Sequence, residues 1–164
     1  MSGDFPRAGF WRRFASLIYD SLVVISLSML TAILYFAAIQ SFIALGFIPQ
    51  TEDPAALIQD SPLLYGIRSV LFIGVNIVFF AYFWTKSGQT IGMRAWRLKV
   101  QTLDGKLINW PKAIIRCTSA LLGLGNIVVL IDFKNKRALQ DYLSQTEVIE
   151  LTKEENKRIY RSLD

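Results

Sequence analysis

The chain has 164 residues, 52% hydrophobic and 13% aromatic, with 18 Lys and Arg against 13 Asp and Glu, a net charge of +5 and no histidine. The missing imidazole removes the commonest zinc ligand and the commonest general base, and a single cysteine, Cys117, excludes a disulfide framework within the chain. Its basic residues flank apolar runs and form no stripe interleaved with aromatics, which points to a bilayer with anionic headgroups and against nucleic acid. No metal, no cofactor and no enzymatic activity is expected.

The first apolar block runs from about Phe14 to Leu45 and, as a helix, would measure roughly 48 Å against a hydrocarbon core of ~30 Å, so it tilts or starts in the interface. It is about twice the length of a signal-peptide core and reads as a retained anchor. One acidic residue, Asp20, lies inside it. The connection Gly46 to Tyr65 holds Glu52, Asp53 and Asp60 but no Lys or Arg, the pattern of a translocated loop. The second block, Leu63 to Trp84, is again long enough to span, with Arg68 able to snorkel and Asn76 expected to make an interhelical hydrogen bond.

Between Lys86 and Arg116 the chain is strongly basic and is expected on the cytoplasmic side with Arg7, Arg12 and Arg13. Within it Trp96, Leu98 and Val100 alternate with Arg97, Lys99 and Gln101, the period of a half-buried strand, and Asp104-Gly105 is a hairpin turn signal. The preceding "SGQTIGMR" lacks the G-K-[ST] of a phosphate loop. A third apolar block, Ala120 to Ile131, is only a dozen residues long and precedes a basic tail. Runs of that length mark re-entrant segments more often than spans, so it is read as a bent hairpin turning at "GLGN", an ordinary third span being the alternative. The fold class is thus an all-α membrane protein: two spanning helices in a hairpin, a third segment that re-enters, and a small amphipathic β-hairpin between the second and third. The membrane domain is drawn at 1–150 and a charged cytoplasmic tail at 151–164.

"RRFASLIYD", "SGQTIGMRAWRLKV" and "RALQDYLSQTEVI" together resemble the RDD family of small membrane proteins, named for one arginine and two aspartates. By that resemblance Arg13 is the family arginine, Asp20 the aspartate seven residues on and Asp141 the later aspartate, while Gln89, Thr90, Gly92, Arg116 and Thr146 match further family positions. Where the family often has histidine before the last aspartate, this chain has Gln140, which argues against a histidine proton carrier there. The resemblance implies transport of unidentified ligands or cation/proton exchange; the chain is expected in the bacterial cytoplasmic (inner) membrane, and the loop charges put the N-terminus inside.

An ionisable residue within a span is costly and usually faces protein interior or water, paired with an opposite charge. Arg13 and Asp20 share a helix face but lie ~10.5 Å apart along the axis, so a third group is needed. Asp141 and Arg116 would supply it if the third segment re-enters, giving one cluster that serves either as an ion or proton site or as a structural lock. "IYD" and "GLGN" echo the motifs of presenilin-type intramembrane aspartyl proteases, but Asn126 stands where the second aspartate is needed, so no catalytic dyad is expected. Two classes of function remain: an oligomeric transporter or exchange unit, and a non-catalytic module that assembles or regulates other membrane proteins. The charge asymmetry predicts that cysteine placed at Glu52 or Asp60 in a Cys117→Ser background reacts with an impermeant thiol reagent in intact cells; reaction only after lysis would invert the topology.

Overall fold

The computed structural model describes residues 5–132 and 134–161. Helix α1 (Phe10–Ala44) contains neither Gly nor Pro across its 35 residues and stops just before Gly46, which takes φ 79°. Asp53 caps α2 (Pro54–Asp60) by accepting from the amides of Ala55 and Ala56, and α3 (Pro62–Lys86) begins on a proline whose missing amide costs nothing at a helix start. The short α4 (Ile91–Ala95) is capped by the Thr90 hydroxyl. Strand β1 (Leu98–Thr102) follows, then α5 (Trp110–Ser119), capped by Asn109, a 3-10 turn at Leu121–Ile127, and α6 (Val128–Ile131). The chain continues through α7 (Leu139–Leu143), β2 (Thr146–Glu150) and α8 (Lys153–Arg161).

The most apolar windows of α1 and α3 have mean hydropathies of 2.4 and 1.9, yet only 11% and 6% of those windows is buried within the protein. Such long, apolar and uncovered helices are what a lipid solvent requires, and both expected spans are present.

The chain divides into two compact units, Val23–Val78 and the remainder. Within Val23–Val78 the two helical arms form the expected hairpin: the Tyr35 hydroxyl donates to the Leu64 carbonyl at 2.8 Å, and Ile39, Ile43 and Ile58 form a small core. Asn76 donates to Phe72 O in its own helix at 2.6 Å and reaches Ser28 Oγ at 3.5 Å, the interhelical bond foreseen for it. Arg68 bends back over the Tyr65 ring.

The other unit is organised by a two-stranded antiparallel sheet. Leu98 and Val100 are buried, as their alternation requires, and pack with Ala81, Trp84, Met93, Ile108, Ala113 and Val148. Each aliphatic side chain so buried contributes about 1.5–3 kcal/mol. The partner strand departs from the sequence expectation. Asp104-Gly105 does turn, with the Thr102 amide donating to Lys106 O at 2.9 Å, but the chain after the turn forms no strand; β1 pairs instead with β2, Val100 opposite Val148. Residues 106–109 contain an asparagine that caps α5, so the chain leaves the sheet to start a helix, whereas "TEVIE" offers β-branched residues at alternate positions.

This pairing decides the path of the third apolar segment. Thr102 faces Thr146 across the sheet, so the intervening chain begins and ends at one place. The Ala8 amide donates to Val148 O at 2.8 Å, which puts the start of α1 there too. A segment with both ends clamped together cannot make a single crossing, and α5 and the helical stretch after Gly123 are bent by 85° at the "GLGN" turn. This bent pair, with its two ends held together by the sheet, fits the re-entrant reading better than an ordinary third span.

Gln101 Nε2 lies 3.0 Å from Glu147 Oε1 on one face of the sheet. Paired Cα atoms in antiparallel strands fall within disulfide range, so Gln101→Cys/Glu147→Cys in a Cys117→Ser background is expected to crosslink on mild oxidation. Gln101→Cys/Ile108→Cys, the pair that a two-residue hairpin at Asp104-Gly105 would place opposite one another, is expected to crosslink far less; the reverse order, read by mass spectrometry of the digest, would restore the local hairpin.

Candidate functional site

Asp141 sits in the first turn of α7 with its side chain fully buried. Its Oδ2 accepts from Arg13 Nη1 at 2.7 Å and from the Ala138 amide at 2.9 Å, and its Oδ1 accepts from Arg116 Nη1 at 2.6 Å. Both guanidiniums are themselves about 95% buried or more. Arg13 spends its other donors on the carbonyls of Ala8 at 3.1 Å and Lys136 at 3.0 Å. Arg116 also donates to the Thr146 hydroxyl and lies over the Trp84 ring at 5.1 Å. Thr146 and Ser144 exchange a hydroxyl hydrogen bond of 2.8 Å, and Ser144 donates on to Gln140 O. The result ties α1, α5, α7 and β2 through one carboxylate.

Burial alone would raise the Asp141 carboxyl, but the positive charges of Arg116 and then Arg13, with the Ala138 amide, outweigh it and hold the group below the usual carboxylate range.

Asp20 is elsewhere. Its buried carboxylate accepts from the Thr90 hydroxyl at 2.6 Å and the Gly92 amide at 2.8 Å, both at the start of α4. Among the described residues no cation stands within 4 Å of it. The single cluster of Arg13, Asp20, Asp141 and Arg116 expected from sequence is therefore two arrangements, a triad and a separate aspartate. The reason is the helix rise foreseen between positions 13 and 20, together with the direction of Arg13, whose guanidinium is occupied by Asp141 and two carbonyls. Gly92 permits the Asp20 contact, since a Cβ there would stand 2.9 Å from the Asp20 carboxylate and collide with the Ser16 carbonyl.

A cavity of about 70 Å³ joins the two arrangements, with Asp20, Ser16, Arg13, Arg116, Asn126 and Gln140 among its walls. Gln140 donates from Nε2 to Asn126 Oδ1 at 2.9 Å, while its buried Oε1 and the Arg116 Nε find no protein partner among the described residues. At roughly 30 Å³ per molecule in the liquid, the space suits two waters or one small ion with a water.

A model described as the RDD family matches residues 7–145, most of the chain and all three charges of its name. The chain belongs to the RDD family. No curated protein and no solved structure matches it. In this RDD protein the positions singled out by the resemblance divide by task, Thr146 lying one residue beyond the matched stretch. Arg13, Arg116, Asp141 and Thr146 build the triad; Thr90 and Gly92 hold Asp20. Gln89 touches neither, but donates from Nε2 to Leu98 O at 2.7 Å and to Asn156 Oδ1 of α8 at 2.8 Å, bracing the loop that carries Thr90.

Sequence reasoning missed Ser144, Trp84, Asn156 and the Ala8 and Lys136 carbonyls. A lone serine, tryptophan or carbonyl gives no signal by spacing. Gln140 was read only as the absence of a histidine, and its pairing with Asn126 had no sequence signature.

One carboxylate serving two buried cations gives an asymmetric expectation. Asp141→Asn leaves two guanidiniums uncompensated and is expected to cost about 3–5 kcal/mol, whereas Arg13→Gln leaves an intact Arg116–Asp141 pair and should cost less. Because the folded-state carboxyl titrates below its unfolded value, its stabilisation is fully present above about pH 4 and is lost as pH falls through the folded value. The gap in thermal stability between the parent and Asp141→Asn should accordingly narrow in acid; a gap independent of pH would show that the ionised carboxylate is not what holds the triad.

Proposed function

We propose that this RDD protein is a cation/proton exchange unit of the bacterial cytoplasmic membrane, with the N-terminus and the sheet on the cytoplasmic side. Asp20 is the exchanging group in this reading. The observation that supports it is the Asp20 site itself: a carboxylate ten residues into a membrane helix, held by neutral donors only, on a cavity of mixed polar and apolar lining large enough for a small ion. A carboxylate without a resident cation can be neutralised by a proton or by a small cation, and those two states exclude one another. The triad does not exchange. Its carboxylate has all of its strong positions filled, so it holds α1, α5 and β2 in register around the cavity.

Two spanning helices cannot enclose a pathway, so the exchanging species is an oligomer of this chain, and no covalent chemistry is assigned to it. The second reading is a non-catalytic module that docks other membrane proteins through its basic face. The closed triad, its carboxylate bonded to both guanidiniums, favours that reading, because a static lock needs nothing more.

Flux separates them. Purified protein in proteoliposomes is expected to collapse an imposed proton gradient on addition of Na⁺, Li⁺ or K⁺, and Asp20→Asn, which keeps the shape of the carboxyl, should abolish the flux while preserving elution profile and melting temperature. A parent protein silent with every cation, or an Asp20→Asn variant as active as the parent, would leave the docking reading in possession.

A further inference from the structure

The start of α1 and the turn after α6 enclose a second, larger cavity, independent of the Asp20 site. It has a volume of about 430 Å³, within the range of small-molecule sites, and is lined by Lys134, Asn135, Lys136, Arg7 and Glu147, with Arg7 Nη1 donating to Asn135 O at 3.4 Å. Charge on these walls is unevenly spent. Arg7 Nε pairs with Glu147 at 2.7 Å, so these two neutralise one another. Asp132, the nearest further carboxylate in sequence, accepts from the Asn135 amide at 3.2 Å, its side-chain Nδ2 at 3.1 Å and the Tyr142 hydroxyl at 2.5 Å. Lys134 and Lys136 are exposed and have no side-chain partner among the described residues.

The wall that bears them is built. Lys136 takes a left-handed φ of 50°, its amide donates to Asp132 O at 2.7 Å, and its carbonyl accepts from Arg13 of the triad at 3.0 Å. The Lys136 backbone is thus held in place, and Lys134, Asn135 and Lys136 line the same cavity.

Position selects the source of the anion. Arg7 precedes α1 by three residues, and Trp11 in the first turn of that helix is 75% exposed, as is Ile131 (77%) at the end of α6, just before the lysine turn. Exposed tryptophan at the end of an apolar span marks headgroup depth. Phe5 and Leu103 add an apolar side to the same cavity. We infer that this cavity is a binding site for an anionic phospholipid, its phosphate taken by Lys134, Lys136 and Asn135 and its glycerol and upper acyl carbons resting on Phe5 and Leu103. Basic pockets at this depth recognise headgroups by charge and hydrogen bonding together.

Native mass spectrometry of the full chain in detergent tests this with phosphatidylglycerol and phosphatidylcholine of identical acyl chains. The parent should retain the anionic lipid several-fold over the zwitterionic one. Lys134→Gln/Lys136→Asn, in which asparagine suits the left-handed backbone, should lose most of that preference, whereas Lys157→Gln/Arg161→Gln on α8 removes the same charge and should keep it. Equal retention by the first variant, or equal loss by the second, would overturn the site. Displacement of phosphatidylglycerol by millimolar inorganic phosphate would overturn the lipid as its occupant.

Discussion

A single buried carboxylate, that of Asp141, stands between two buried guanidiniums, and the neighbouring elements converge on it. Removing three charges from solvent is costly, and the cost is offset only when each partner also finds its remaining hydrogen bonds. Arg13 therefore fixes the carbonyls of Ala8 and Lys136, Arg116 fixes Thr146, and Asp141 itself caps the start of α7. The sheet pairing and the return of the re-entrant segment are consistent with this requirement, since both deliver residues to the one position where Arg13 can be reached.

The triad holds two positive charges and one negative, and so retains an excess of one. Asp20 lines the same cavity with the opposite sign. With Asp20 ionised the four charges sum to zero, although no ion pair joins Asp20 to the arginines. In the exchange reading proposed above, separating the two arrangements leaves the triad rigid while Asp20 changes its charge state.

Much of this architecture was legible in the sequence because its signals are strong ones. Two long apolar runs, an acidic loop between them and a basic stretch after the second read directly as a hairpin, and the alternation at Leu98 and Val100 gave a strand with the correct buried face. The partner strand was not legible. A local turn at Asp104-Gly105 suggested a hairpin, whereas the true partner lies forty-odd residues on, and pairing at that separation leaves no mark in local periodicity. Arg13, Arg116 and Asp141 were found through the family resemblance and the topology argument. The placement of Asp20 failed at the last step, because rise along a helix says how far apart two side chains start but not which competing acceptor each prefers.

The long sequence separation within the triad also bears on how the protein is made. Arg13 and Asp141 are 128 residues apart, so α1 enters the membrane well before its counter-charge has been synthesised. At bacterial or eukaryotic elongation speeds of about 5–20 residues per second, that interval is roughly 6–25 s. Through it the guanidinium must stay at the wet edge of the bilayer, and the helix can settle to its final depth only when α7 and β2 emerge. Until residue 141 is added, Arg13 lacks the carboxylate that compensates it in the finished fold.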